Sequence, residues 1–273
     1  MASATALQAF IDAHPRLFVL TGAGCSTGSG IPDYRDTAGH WKRPQPMTYQ
    51  AFIDSEAARR RYWARSLVGW PVIRNARPNS AHHALNTLEA TGRISLLVTQ
   101  NVDGLHQKAG AQNVVDLHGR IDAVICLQCR ERSERDSFQQ ILSEMNPNWA
   151  TRRVEVAPDG DADIDETDFS DFLLPACTHC KGILKPDVVF FGESVPRDRV
   201  QAATTALESS DALLIVGSSL MVFSGFRFAR HAAQLGLPIA SVTRGVGRAD
   251  DLLTLKIDSA CDEVLPAVTG MTA

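Results

Sequence analysis

The chain has 273 residues, 44% hydrophobic and 21% charged, enough to bury a core in one large domain or in a large and a small one. Its formal net charge of -4 carries no general footprint for nucleic acid or for an anionic membrane surface. Six cysteines are too few for a disulfide scaffold, and four of them fall into two C-x-x-C pairs, which points to metal.

The opening MASATALQAFIDAHP has no basic n-region and no long apolar h-region, and no apolar run approaches the roughly 20 residues that span a bilayer. A soluble, cytoplasmic protein is expected. Within that opening, Ala4 to His14 sets Leu7, Phe10 and Ile11 on one helical face. Leu17 to Leu20 reads as a buried strand entering TGAGCSTGSGIPDYRD, a turn with Gly22, Gly24, Gly28 and Gly30. Glycines there let backbone approach a phosphate and turn its N–H groups outward. The spacing is neither G-x-G-x-x-G nor a Walker A, and glycines alone fit a plain surface loop equally well. The polar set just behind, Ser26, Asp33, Tyr34 and Arg35, aimed by Pro32, favours a ligand loop.

Residues 40–68 read as helical, interrupted at Pro44 and Pro46. Tyr62 and Arg65 share a face there at i, i+3. The pair fits a solvated basic surface with its aromatics packed inward, or a cation and phenol that recognise a carboxylate. After Pro78, Asn79 or Ser80 caps a helix that buries Leu85 and Leu88 and stops at Gly92, with His82 and His83 structural in its first turn.

Arg93 to Thr99 reads as a buried parallel strand whose C-terminal end delivers Gln100, Asn101 and Asp103. Ligands of open α/β sheets bind outside such strand ends. A short strand from Val114 to Leu117 then ends on His118-Gly119, where a histidine can act as general base. Cys126-x-x-Cys129 and Cys177-x-x-Cys180 supply four thiolates, which suits one closed, structural zinc; His179 is not needed. Between the pairs, Asp161, Asp163 and Asp165 mimic the start of an EF-hand, but Glu166 and Phe172 stand where glycine and glutamate are required, so the stretch reads as an acidic loop. Cys25 and Cys261 read as small buried fillers.

The last third alternates again: a strand over 185–193, a helix over 196–210, a strand over 211–219 ending on Gly217-Ser218-Ser219, a helix over 225–236, and strands over 238–243 and 252–257. This predicts an α/β fold: a doubly wound, Rossmann-like parallel sheet from residues 1–39, 69–120 and 185–273, with a smaller zinc-binding domain from 40–68 and 121–184.

Taken together, GAGCSTGSGIPDYR, TQNVDGLH, LHG, the two C-x-x-C pairs, KPDVVFFGE and VGSSLMV resemble, in order, the sirtuin family of NAD-dependent protein lysine deacylases. RRRYWAR and the long insert look most like its class II, mitochondrial-type branch. The resemblance implies that Gly22, Ala23 and Gly24 cradle the pyrophosphate of NAD, with Ser26, Asp33, Tyr34 and Arg35 nearby. It implies Gln100 on the nicotinamide ribose, Asn101 and Asp103 in the nicotinamide pocket, and His118 as base. Gly217, Ser218, Ser219, Thr243, Cys261 and Asp262 fall on the adenosine side. Val188, Val189, Phe190 and Gly192 would pair with an acyl-lysine protein substrate as an added strand. NAD would be consumed, giving nicotinamide, O-acyl-ADP-ribose and free lysine.

Three further expectations follow. Thr243 stands where sirtuins usually place an asparagine on the adenosine ribose. Cys25, beside the cofactor, would make the site sensitive to oxidation. Tyr62-x-x-Arg65 matches the pair that reads an acyl carboxylate in the succinyl- and malonyl-removing branch, so acidic or bulky acyl groups are expected over acetyl. Protein mono-ADP-ribosyl transfer, a non-catalytic NAD or ADP-ribose sensor, and a zinc-ribbon nucleic-acid binder are the alternatives; no nucleic acid or membrane partner is expected, and the protein is expected to be a monomer.

Overall fold

The computed structural model describes residues 2–42, 46–151 and 168–270. The acidic stretch around Asp161 lies outside the described residues. Helix α1 (Ala2–Ala13) buries Leu7, Phe10 and Ile11, and β1 (Leu17–Thr21) is buried throughout. Helix formation over 40–68 begins later than expected. Thr48 caps α2 (Tyr49–Asp54) and Ser55 caps α3 (Glu56–Asn75), each accepting a backbone N–H three residues on. Helix α3 runs through Pro71, which removes one helical hydrogen bond; burial of Trp70 and Ile73 on either side holds that turn.

Asn79 caps α4 (Ser80–Ala90), followed by β2 (Ile94–Thr99), α5 (Leu105–Lys108) and β3 (Val114–Asp116). Next come β4 (Gly119–Cys126), β5 (Arg132–Glu134), α6 (Arg135–Met145) and α7 (Pro147–Ala150). The chain ends with β6 (Leu184–Val188), α8 (Arg197–Glu208), β7 (Ala212–Val216), α9 (Phe223–Gln234), β8 (Ile239–Val242), β9 (Leu255–Ile257) and α10 (Cys261–Val268).

Six strands form one sheet in the order β3-β2-β1-β7-β8-β9, every pair parallel. Side chains of β1 alternate between its faces. Leu17 and Val19 pack with Leu7, Leu85 and Leu265; Phe18 and Leu20 pack with Leu207 and Phe228. Helices therefore cover both faces, and the sheet is doubly wound. Chain order runs outward from β1 in both directions, so the crevice between β1 and β7 is the topological switch point at which such sheets bind ligands.

A second, antiparallel sheet has the order β5-β4-β6 and packs with α2, α3, α6 and α7 around Phe52, Trp63, Phe138, Leu142 and Trp149. Here the structure corrects one expectation. The strand over 185–193 spans only Leu184–Val188 and pairs with β4, not with the parallel sheet. Its apolar run fills the smaller core, which periodicity alone cannot distinguish from the larger one.

Candidate active site

The tips of β1 and β7 interlock. Gly22 N–H donates to Val216 O (3.1 Å) and Gly24 N–H to Gly217 O (2.8 Å). The contact is too close for side chains: a Cβ at Gly217, whose φ is +61°, would stand 2.2 Å from Cys25 N, and one at Gly22 would stand 2.7 Å from Ser218 Cβ. Above these turns opens a cavity of about 930 Å³. Its walls include Gly22, Ala23, Gly24, Ser26, Asp33, Tyr34, Arg35, Gln100, Asn101, Asp103, His118, Gly217, Ser218, Ser219, Thr243 and Cys261, with Tyr62, Val188, Val189, Phe190 and Gly192. Two expected residues do not line it. Arg65 is absent from the walls, and Asp262 packs against Gly28, its carbonyl accepting from Ser80 Oγ (3.0 Å).

The polar floor is a connected network. Asn101 Nδ2 donates to Gly22 O and to Ser26 Oγ, both at 3.0 Å, and Ser26 Oγ donates to Asp103 Oδ2 (2.7 Å). Gln100 Nε2 donates to Ser218 Oγ (2.7 Å). Burial pushes the Asp103 carboxyl up, while Leu105 N–H and Ser26 Oγ hold it down. At the rim, Asp33 pairs with Lys42, and Arg35 lies 4.0 Å over the Trp41 ring while donating to Gly39 O (2.7 Å).

His118 Nδ1 lies 2.9 Å from Gln100 O. A carbonyl only accepts, so Nδ1 carries the proton and Nε2 presents its lone pair. Ser224 Oγ stands 2.8 Å from Nε2 and donates to it. Burial, with Arg199 and Arg227 nearby, lowers the His118 pKa to about 4 against the opposing pull of Gln100 O. The imidazole is therefore neutral near pH 7, as a base must be.

The edge over 188–192 is braced from behind. Val189 N–H donates to His118 O (2.7 Å), Phe190 N–H to Glu193 Oε2 (2.9 Å), and buried Lys185 pairs with Glu193 (3.1 Å). Tyr62 packs edge-on against Phe52 and leans on Phe190, centroids 5.2 Å apart.

Away from the cavity, the four Sγ atoms of Cys126, Cys129, Cys177 and Cys180 lie within 4.8 Å of one another. Arg130 and Lys181, each just after a C-x-x-C pair, take positive φ values of 65° and 62°, the tight return that aims both thiols inward. A Cβ at Gly182 would stand 2.8 Å from Cys126 Sγ. This donor set and cradle fit a tetrahedral thiophilic metal.

The remaining cysteines overturn one expectation. Cys25 is wholly buried and turned away from the cavity that its neighbours Gly24 and Ser26 line. Contact with Cys261 and burial push its thiol well above its ordinary range. A protonated, enclosed thiol is a poor target for oxidants.

Sequence reasoning missed Ser224 and Glu193. Ser224 shares no motif with its partner and lies 106 residues from His118, whereas Glu193 and its partners Lys185 and Phe190 all fall within KPDVVFFGE. Glu193 alone left a signal, as an acid at the end of an apolar strand.

Residues 22–224 match the Sir2 family profile. An NAD-dependent protein deacetylase of Xanthomonas campestris pv. campestris (strain 8004) is 60% identical over 95% of this chain and 89% of its own. A Bordetella bronchiseptica NAD-dependent protein deacetylase is 58% identical over 99% and 98%. The mitochondrial NAD-dependent protein lipoamidase sirtuin-4 of Bos taurus is 46% identical over 96% and 84%. Among solved structures, a Sir2 enzyme superposes with TM-score 0.76 at 27% identity, covering 99% of this chain and 97% of that one. A Sir2–p53 peptide–NAD+ complex gives 0.75 at 26%, covering 97% and 96%. The glycine tips, the amide–carboxylate floor and the neutral histidine thus stand on a chain that belongs to the Sir2 family.

Proposed function

We propose that this protein removes acyl groups from protein lysines with NAD as co-substrate, yielding nicotinamide, O-acyl-ADP-ribose and free lysine. The observation that carries this reading is His118, a neutral imidazole opening on a cavity with glycine turns at one end and the 188–192 backbone at the other. Bound NAD supplies an electrophilic ribose carbon and a departing nicotinamide. The backbone N–H groups around Gly22–Gly24 suit its pyrophosphate. Asn101, Ser26 and Asp103 form a rigid polar pocket that orients the ring, which suits chemistry limited by positioning more than by a protein nucleophile. His118 Nε2, once Ser224 yields, can take a ribose hydroxyl proton. The backbone over 188–192 suits a peptide laid alongside it as a strand.

The four cysteines suit a structural zinc, since four thiolates leave no open position for water. For the acyl group, the cavity wall supports bulk over charge: Tyr62, Phe190, Ile121, Val188 and Met47 face it, and Arg65 does not. Bacterial relatives, and the absence of any helix among the described residues long and apolar enough to cross a membrane, support a cytoplasmic setting.

The test is incubation with NAD and acetyl-, succinyl-, glutaryl- and long-chain acyl-lysine peptides, followed by mass spectrometry, with His118→Ala as control. O-acyl-ADP-ribose that depends on His118 supports the deacylase. ADP-ribose appearing on protein, with no deacylated peptide, replaces it by mono-ADP-ribosyl transfer. NAD binding without turnover of any peptide replaces it by a sensor.

A further inference from the structure

Behind the glycine-rich turn, on the side away from the cavity, lies a second group of metal-type donors. One donor atom each of Cys25, His82 and His106 falls within 4.8 Å of the other two, and all three residues are buried. Cys25 Sγ stands 4.0 Å from His82 Nε2, and the two imidazole centroids are 4.8 Å apart.

Cys25 also touches the Cys261 thiol, while one ring nitrogen of His106 has no hydrogen-bond partner. Thr21 Oγ1 donates to Thr99 Oγ1 (2.8 Å), so it accepts from His106 Nε2 (2.9 Å), which puts the His106 proton on Nε2. His106 Nδ1 is then a bare lone pair, fully buried, with no hydrogen-bond partner. His82 Nδ1 meets Asn79 twice, Oδ1 at 3.0 Å and the backbone N–H at 3.3 Å; a metal on Nε2 would select the tautomer in which Nδ1–H donates to Oδ1. Metal-binding histidines are commonly oriented this way, the second ring nitrogen held by an outer hydrogen bond. A buried, unpartnered imidazole nitrogen is costly in a native interior and calls for a reason.

We propose that Cys25, His82 and His106 form a second metal site, distinct from the four-cysteine cluster, that takes a thiophilic closed-shell cation, zinc(II) or copper(I). Binding replaces the S–H bond of Cys25 with an S–metal bond and releases one proton to solvent; the two imidazoles donate lone pairs and lose nothing. Thiolate and imidazole together select cations of this class. Three donors, one of them a thiolate, complete the shell and cancel the charge of copper(I), whereas zinc(II) requires a fourth donor. The site would tie the turn after β1 to α4, whose cap Asn79 already donates to Cys25 O (2.8 Å), and to α5.

The test begins with protein carrying one zinc per chain in the four-cysteine cluster. It is titrated with zinc(II) and, without oxygen, with copper(I) delivered as a bicinchoninate complex; native mass spectrometry counts ions per folded chain. One further ion per chain is expected, with X-ray absorption of that ion showing a mixed sulfur and nitrogen shell. Cys25→Ala, which only shrinks a buried side chain, and His106→Gln, which can keep the Thr21 bond, are both expected to return the count to one. Uptake of copper(I) alone identifies a three-donor site, and uptake of zinc(II) a four-donor one. No further ion with either cation, a shell of sulfur alone, or retention of the ion in either variant overturns the proposal.

Discussion

Ser224 Oγ donates to His118 Nε2 across 2.8 Å, so the atom that must accept a proton is already satisfied before substrate arrives. A hydrogen bond to the lone pair stabilises the neutral imidazole and must be given up for catalysis. Ser224→Ala is expected to raise the His118 pKa by about 0.7 unit, the equivalent of roughly 1 kcal/mol. The acid limb of the kcat/KM profile should move upward accordingly, with Ser224→Thr restoring it. An unmoved limb would show that Ser224 does not tune the base.

Stability should depend on pH through the same histidine. Its pKa is about 4 in the fold against an ordinary 6.5. Below 6.5 the unfolded chain binds the proton first, so stability is full above that pH and is lost as pH falls toward 4, by at most about 1.4 kcal/mol per unit. Because His118 lines the cavity and is not sealed in the core, the measured slope should fall below that ceiling. His118→Gln removes this contribution, so the difference in Tm between pH 7 and pH 5 should shrink in the variant. An unchanged difference would place the acid sensitivity elsewhere.

Gly119 holds the strand after the base. Its φ is +82°, and a Cβ would stand 2.0 Å from Asp187 O, backbone against backbone. Gly119→Ala should cost about 2 kcal/mol or more and lower Tm by about 5 °C or more. Since Gly119 sits between His118 and the β4–β6 pairing, kcat should fall with it. Calorimetry and steady-state kinetics check both effects.

Removing the metal from the four-cysteine cluster should loosen the smaller sheet first. Trp63, Trp70 and Trp149 all lie in that core, whereas the parallel sheet's two cores hold no tryptophan among the described residues. Chelation is therefore expected to shift tryptophan emission to the red, and zinc to reverse it. Emission that is unmoved after metal loss, verified by mass spectrometry, would mean that the module folds without its ion.

For the acyl pocket, Arg65→Met is expected to leave the ratio of succinyl to acetyl turnover within about twofold, below the factor of ten that about 1.4 kcal/mol of lost binding would produce. A tenfold fall would instead show that Arg65 reaches the acyl carboxylate during catalysis.

Much of this molecule was legible in one dimension because its signals are local. Each strand of the parallel sheet is a short apolar run ending in a polar or glycine-rich turn, and the sheet delivers those ends to one side. Gly22, Asn101 and Gly217 could thus be expected together before any coordinate was known. The C-x-x-C pairs are equally local, each a single turn. What only the tertiary structure decided depends on contacts between distant segments. The strand Leu184–Val188 and the apolar residues after it carry no local mark of which sheet they join, and the structure pairs the strand with β4. Tyr62 and Arg65 share a helical face, yet packing on Phe190 brings only Tyr62 to the cavity. Cys25 stands between two cavity-lining residues, but the turn aims its thiol inward, beside His82 and His106. Ser224 reaches His118 only once α9 docks beside β7. Residue type and spacing determined which groups the chain carries; long-range packing determined which of them meet.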